Sequence, residues 1–195
     1  MRVVLDTNVL VSGLISPGGP PGMILSMVIN KSLRVCYDPR ILAEYLEVLQ
    51  RPEFDISADR ISGLLAQITA SGEGAQVSAL QMPLPDPDDM AFLEVALAAQ
   101  AECIITGNLK HFPSSCRQGM RVFSPAEFLE FYRDQQDRAG GMVKSPSAKY
   151  RIRDTGDMEW TPAEVEQVIQ GIRRSTQTGR IKPRGRKAVK NLLRR

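Results

Sequence analysis

The chain has 195 residues, of which 43% are hydrophobic and 24% are charged. These values are typical of a globular protein, so they exclude collagen-like, low-complexity and fully disordered chains. No apolar segment approaches the roughly 18–20 residues that cross a bilayer, and the acidic Asp6 argues against a signal peptide. The three cysteines are widely spaced and odd in number, which fits neither a disulfide framework nor a zinc site. We therefore expect a cytoplasmic protein.

The net charge of +3 conceals an asymmetry along the chain. Residues 1–137 contain 10 Lys and Arg against 17 Asp and Glu, a balance of −7. Residues 138–195 contain 15 against 5, a balance of +10. An acidic body with a basic tail favours a polyanionic partner for the tail. The alternative is a solvated tail that only increases solubility.

The first element is a buried strand at residues 3–5, indicated by a β-branched and apolar run. It ends at Asp6, and Thr7 and Asn8 are predicted to be turn and cap residues. A loop rich in Gly and Pro at 18–22 then opens a largely buried helix.

A second short strand is predicted at residues 33–37, and Asp38 is placed to cap the helix that follows. Apolar residues then recur at helical spacing from 41 to 49, and the amphipathic pattern is repeated from 56 to 68. These segments extend the alternation of strands and helices.

A rigid, acidic segment at 82–89 leads into a helix that has apolar residues between 92 and 99. Residues 103–106 are predicted to be a buried strand and 122–123 a short last strand, with a helix through Tyr132 after it. Strands that alternate with helices at this spacing predict an α/β fold built on a parallel sheet.

The chain is predicted to divide into an α/β body at 1–133, a linker at 134–160 and a basic helical extension at 161–195. The linker is rich in Gln, Gly, Lys and Ser. A capping pattern at Thr161 and Glu164 starts the extension's first helix.

Acidic residues are predicted to gather where the strands end. In an open parallel sheet, ligands bind at the carboxyl ends of the strands, near the switch point. The polar residues predicted there are Asp6, Glu44, Asp86, Asp88, Asp89 and Asn108. Two carboxylates about 4 Å apart repel each other by roughly 4 kcal/mol at an effective dielectric near 20, so three need compensation. A hard divalent cation supplies it, and it also serves phosphodiester chemistry.

Each acidic residue also has a purely structural interpretation. Asp6 could simply end a strand, and Glu44 could be a solvated helix residue paired with Arg40. Asp86, Asp88 and Asp89 could serve only as helix caps. The set as a whole favours function.

Four motifs in order resemble those of the PIN-domain ribonucleases, and most closely those of the toxins of bacterial toxin–antitoxin pairs. The motifs are LDTNVLVSGL at 5–14, PRILAEYLEVLQRPEF at 39–54, PDPDDMAFLEVALAAQAECIITGNLKHF at 85–112 and VFSPAEFL at 122–129. The resemblance covers about residues 1–133. It implies a three-layer α/β/α domain that cleaves RNA with Mg²⁺ or Mn²⁺.

By motif, Asp6, Glu44 and Asp89 fall on the three acidic positions of the metal site, and Asp86 and Asp88 compete for the third. Many relatives carry a further Asp at the fourth motif, where this chain has Asn108 and His111. The loss of that charge puts a second metal ion in doubt more than the first. Asn108 remains a candidate catalytic residue because its carbonyl oxygen can bind a metal or water.

The remaining site predictions concern substrate and partners. Candidate RNA contacts or water-orienting residues near the acidic positions are Thr7, Asn8, Ser12, Thr106 and His111, and those in the tail are Arg184, Arg186 and Lys187. The resemblance further implies a cognate antitoxin protein and a homodimer.

Two questions stay open at this stage. A catalytically weak RNA-binding or partner-docking module is the alternative to the enzyme, and Asn108 favours it. The basic tail could clamp RNA beside the acidic site, or it could dock on the body and insert an arginine among the carboxylates as an inhibitor.

Overall fold

A computed structural model describes residues 1–78, 80 and 84–138. Its centre is a five-stranded, all-parallel sheet in the order β3-β2-β1-β4-β5. The strands are β1 (Arg2–Leu5), β2 (Arg34–Tyr37), β3 (Glu73–Gly74), β4 (Cys103–Ile105) and β5 (Val122–Phe123). The helices of the described chain are α1 (Thr7–Ile15), α2 (Pro20–Ile29), α3 (Pro39–Leu49), α4 (Ala58–Ser71), α5 (Met90–Ala98) and α6 (Pro125–Arg138). Helices cover both faces of the sheet, which confirms the predicted three-layer α/β/α fold.

The core of the molecule lies on both faces of β1 and β4. The side chains of Val3, Val4 and Leu5 are 0% exposed, as are those of Cys103, Ile104 and Ile105. Such continuous apolar runs are typical of strands in a parallel sheet, where both faces are covered. Val3 pairs with Cys103 and Leu5 with Ile105, so the two strands end side by side.

The order in which strands are added to the sheet changes direction between β1 and β4. From β1 the connection leads to β2 on one side, whereas β4 lies on the other side of β1. The carboxyl ends of β1 and β4 therefore form the switch point of the sheet, the usual place for a ligand site in this type of fold.

Burial keeps two of the three free cysteines in the thiol form. Burial raises the pKa of Cys36 to about 11, and it raises the pKa of Cys103 to about 12. Cys116 is partly exposed. None of the three cysteines is bonded to another in the described residues.

The structure corrects three predicted elements. Thr7 and Asn8 are not a turn: they open α1, which Asp6 caps through the Asn8 amide. β3 was not expected from the sequence. Helix α6 continues to Arg138, so residues 134–138 of the predicted linker are helical. The rest of the predicted linker and the basic extension, with Arg184, Arg186 and Lys187, lie outside the described residues.

No single helix of the described residues is long and apolar enough to cross a membrane. Helices α1 and α2 pass that test only as a pair, with a bend of 99° between them. Most of their apolar side chains belong to the core of the domain.

Alanine substitutions at two glycines, Gly63 within α4 and Gly72 at its C-terminal end, should have opposite effects on stability. A Cβ atom at Gly72 would lie 2.3 Å from the Ile68 carbonyl oxygen and 2.5 Å from that of Val35, whereas one at Gly63, within α4, meets nothing within 4 Å. We expect Gly72→Ala to destabilise the protein by about 1–3 kcal/mol and Gly63→Ala to stabilise it by about 0.5–1 kcal/mol. Urea denaturation of the two variants measures both values. Equal effects would contradict this account of the α4–β3 turn.

Candidate metal centre at the switch point

Asp6 is the first polar residue after β1, and its side chain is only 4% exposed. The Asp6 amide donates to the Ile105 carbonyl over 2.9 Å, which extends the register of β1 and β4 by one residue. Its carboxylate accepts hydrogen bonds from the Asn8 amide (3.2 Å), the Asn8 side chain (2.8 Å) and the Thr106 hydroxyl (2.6 Å). Asp6 therefore follows the end of β1, as its structural interpretation predicts, and it also caps α1 and joins the two strand ends.

Glu44 lies one turn into α3 and is 9% exposed. Its carboxylate accepts a hydrogen bond from the Thr7 hydroxyl, next in the chain to Asp6. The neighbouring Tyr45 donates its buried hydroxyl to the Leu5 carbonyl over 2.5 Å. Burial raises the pKa of Tyr45 well above its ordinary value, so the phenol stays a donor. Two adjacent residues of α3 thus fasten this helix to the end of β1.

The alternative interpretation of Glu44, as a solvated residue paired with Arg40, is wrong. Arg40 contacts Asp38 at 2.7 Å and Glu94 at 2.6 Å instead. Glu44 itself is buried against Thr7, so it is not a solvated residue.

The three acidic residues before α5 occupy different environments. Asp86 is half-buried and caps the short 3-10 turn at Pro87–Asp89 by accepting from the Asp88 amide at 3.0 Å. Asp88 is exposed, whereas Asp89 is 3% exposed and lies 2.6 Å from His111, measured from Oδ2 to Nδ1. Of these three, the structure therefore links Asp86 and Asp89 with His111, and it leaves Asp88 outside that group.

The residues after β4 complete a hydrogen-bonded network. The Asn108 amide donates to the Thr106 hydroxyl over 2.9 Å, and the Asn108 side-chain nitrogen lies 2.5 Å from His111 Nε2. Asn8 Oδ1 accepts from the Gly107 amide at 2.8 Å. A continuous chain of contacts therefore runs from Asp6 through Thr106, Asn108 and His111 to Asp89.

A divalent cation fits one group within this network. The ligand atoms of Asp86, Asp89 and His111 all lie within 4.8 Å of one another. Opposite ligands of an octahedral ion at about 2.1 Å are about 4.2 Å apart, so small side-chain movements would close the group on a cation. Two carboxylates and an imidazole are donors that divalent ions accept. Asp6 and Glu44, predicted to share this site, are not members of the group, although the network reaches Asp6.

Burial changes the predicted roles of two threonines. Thr7 is 3% exposed and Thr106 is 0% exposed, and each donates its hydroxyl to a carboxylate. Both hydroxyls therefore position acidic residues, and their contact with RNA stays a prediction. Ser12 lies further along α1 and is not part of the network.

Two features of the site escaped the sequence analysis. The His111–Asp89 contact joins residues 22 apart and depends on the two 3-10 turns that present them. The hydroxyl of Tyr45 was hidden in an apolar helical pattern. A tyrosine beside a candidate catalytic acid on a buried helix face was the available signal, because a buried phenol needs a partner.

Comparison with known proteins agrees with this fold. The family model described as "PIN domain" matches residues 2–110. The chain is also 32% identical, over 114 residues, to an uncharacterized protein of Methanocaldococcus jannaschii, MJ1680; the aligned region is 55% of this chain and 71% of that relative. No solved structure matches the chain.

Proposed function

Because the chain belongs to the PIN-domain family, we propose that it is a metal-dependent endoribonuclease that hydrolyses RNA phosphodiester bonds. PIN domains are generally nucleases. The observation that carries the proposal is the network at the switch point, which joins Asp6 to Asp89 beside a group of ligands that fits a divalent cation.

In this proposal the carboxylates of Asp86 and Asp89 hold the cation, Mg²⁺ or Mn²⁺. When bound, such an ion neutralises charge on the scissile phosphate and lowers the pKa of water. The chain's own residues fix the geometry around it. Thr106 holds Asp6, and Thr7 holds Glu44, so both carboxylates keep one orientation at the edge where the phosphate would bind.

Two asparagines, Asn8 and Asn108, extend the hydrogen-bonded network around Asp6 and His111. Asn8 bridges the Asp6 carboxylate and the Gly107 amide, and Asn108 bridges Thr106 and His111. Asn8 thereby connects the ends of β1 and β4, and Asn108 connects the end of β4 to His111. In place of the acid found in many relatives, Asn108 contributes orientation without charge.

The direct test is incubation of the purified protein with mixed cellular RNA in Mg²⁺, Mn²⁺ or EDTA, followed by mapping of the cut ends. We expect cleavage with either metal and none with EDTA. Binding of RNA without any cleavage would favour the alternative, a catalytically weak RNA-binding or partner-docking module. Cleavage that survives complete chelation would contradict the metal-dependent mechanism.

We also propose that the protein is the toxin of a toxin–antitoxin pair, acting in the cytoplasm as a homodimer with a cognate antitoxin. The support is the resemblance of its four motifs to such toxins. Expression in a bacterial host should arrest growth, and Asp89→Asn should remove the arrest. Growth arrest by the variant would contradict a toxic effect based on cleavage.

The basic residues of the tail give a separate prediction for RNA binding. If the tail clamps RNA, replacing Arg184, Arg186 and Lys187 together with Gln should weaken binding and lower the salt slope by about two units, since each lost contact to single-stranded RNA removes about 0.7 unit. Filter binding of the full-length protein at several salt concentrations measures the slope. A rise in cleavage rate instead would support the autoinhibitory alternative.

A further inference from the structure

His111 is the feature of the centre that carboxylate chemistry does not explain. Its Nδ1 faces Asp89 Oδ2 at 2.6 Å, and its Nε2 faces the Asn108 amide nitrogen at 2.5 Å. Asp86 brings a second carboxylate into the same group of ligand atoms. The imidazole thus lies next to the carboxylates through Nδ1, and Asn108 contacts the opposite nitrogen of the ring.

The kind of donor determines which ions a site prefers. Mg²⁺ prefers oxygen ligands and keeps much of its water, whereas ions from Mn²⁺ to Zn²⁺ accept imidazole nitrogen with increasing affinity. We propose that His111 is a metal ligand of this centre, and that the centre therefore binds a divalent transition-metal ion in preference to Mg²⁺. This inference rests on the proposed function, because it names the ion class of the same site.

The contact with Asn108 supports a ligand role for the ring. Histidines that bind metals are usually oriented by a hydrogen bond at their other ring nitrogen. The Asn108 side chain occupies that position at Nε2, and the Asn108 backbone amide donates a hydrogen bond to the Thr106 hydroxyl. An asparagine side chain has both a donor nitrogen and an acceptor oxygen. It can therefore donate to His111 Nε2, or rotate its amide group and accept a hydrogen bond from Nε2 when Nδ1 binds the metal. Asn108 is therefore the positioning residue for the ligand.

The exposure of the ring is also suitable. The His111 side chain is 29% exposed, whereas that of Asp89 is 5% exposed. One ligand is thus anchored in the protein and the other borders the solvent from which an ion enters. A histidine that served only to pack against Asp89 would not need this access.

A single histidine makes the test unambiguous, because His111 is the only one in the chain. The full-length protein is loaded with Mn²⁺ and studied by pulsed electron paramagnetic resonance, which detects coordinated imidazole nitrogen. We expect ¹⁴N modulation in the wild type, replacement of its pattern when histidine is labelled with ¹⁵N, and loss of the modulation in His111→Gln. The labelled wild type needs no substitution, so the test does not depend on the folding of a variant.

Affinities separate the inference from the function on which it rests. His111→Gln should weaken Mn²⁺ binding by at least about 10-fold and Mg²⁺ binding much less, whereas Asp89→Asn should weaken both by at least about 10-fold. Calorimetric titration measures all four constants, and circular dichroism checks the fold.

Three results would overturn the inference. Bound Mn²⁺ without nitrogen modulation in the wild type excludes the ligand role but leaves a nuclease dependent on Asp89. Equal loss of Mn²⁺ and Mg²⁺ affinity in His111→Gln excludes the proposed selectivity. A wild-type protein that binds neither ion overturns both the inference and the metal-dependent function.

Discussion

Asp89→Asn should reduce metal-dependent RNA cleavage by at least about 100-fold, because even changes in the groups around metal ligands cost about 10–100-fold. The asparagine keeps an oxygen that can accept a hydrogen bond from His111, so the substitution removes charge with little change of shape. Asp89 is 3% exposed, and its carboxylate belongs to the candidate metal group. Initial rates with a defined RNA at saturating Mn²⁺ provide the measurement.

Asp88→Asn is the matched control for this prediction. It removes the same charge one residue away, from an exposed side chain that lies outside the metal group. We expect its rate to remain within about threefold of wild type, since surface substitutions are usually mild. The reverse result, with Asp88→Asn inactive and Asp89→Asn active, would make Asp88 the third acidic residue of the site.

Arg40→Met should destabilise the fold by about 2–3 kcal/mol. Arg40 is held between two buried carboxylates, those of Asp38 and Glu94, which are 3% and 5% exposed. Although burial lowers the pKa of Arg40, its bonds to these carboxylates raise it above the ordinary value, so the cation persists. Removing one partner of a buried ion pair costs about 3–5 kcal/mol, and the partial exposure of Arg40 places the expected loss below that range.

Arg34→Met tests whether the effect comes from burial. Arg34 pairs with Glu73 at 3.8 Å, but 59% of its side chain is exposed. We expect a change below about 0.5 kcal/mol there, because exposed ion pairs contribute little. Urea denaturation of both variants gives the comparison, and similar losses would show that the Asp38–Arg40–Glu94 cluster has no special weight.

This cluster matters to the site because it holds α5, the helix that begins directly after Asp89. Glu94 Oε1 accepts a hydrogen bond from the Leu80 amide over 3.0 Å. Arg40 thus connects the start of α3 with α5 and, through Glu94, with the Leu80 amide. We therefore expect Arg40→Met to lower metal affinity as well as stability, although it touches no proposed ligand.

Much of the fold could be predicted because its signals are local. The strand at Val3–Leu5 is continuously apolar, and Asp38 before a proline marks the start of α3. Helix α1 was missed because it is apolar on nearly every side, so it shows no amphipathic stripe. β3 has only two residues, Glu73 and Gly74, and neither has a high strand propensity. It forms because α4 ends beside the edge of β2, so the residues that follow can pair with β2.

The site was predictable in part for the same reason. Asp6 and Asn108 follow strands whose ends meet in any parallel sheet of this order, so their proximity follows from topology. The contact between Asp89 and His111 depends on the conformations of two short 3-10 turns, which sequence patterns do not encode. The burial of Thr106 could not be predicted from the sequence either, because the sequence does not show whether a threonine at a strand end faces solvent or a carboxylate.

The strand order has a consequence for synthesis of the protein. β1 is central, but its neighbour β4 is encoded about 100 residues later, so a nascent chain can pair β1 with β2 long before its other edge is covered. During that interval the backbone of Val3, Val4 and Leu5 remains open on one side, the condition under which strands associate with other chains. The same delay keeps Asp6 apart from Thr106 and His111. The candidate metal centre therefore cannot assemble before His111 has left the ribosome. Nascent chains shorter than this lack the proposed nuclease activity.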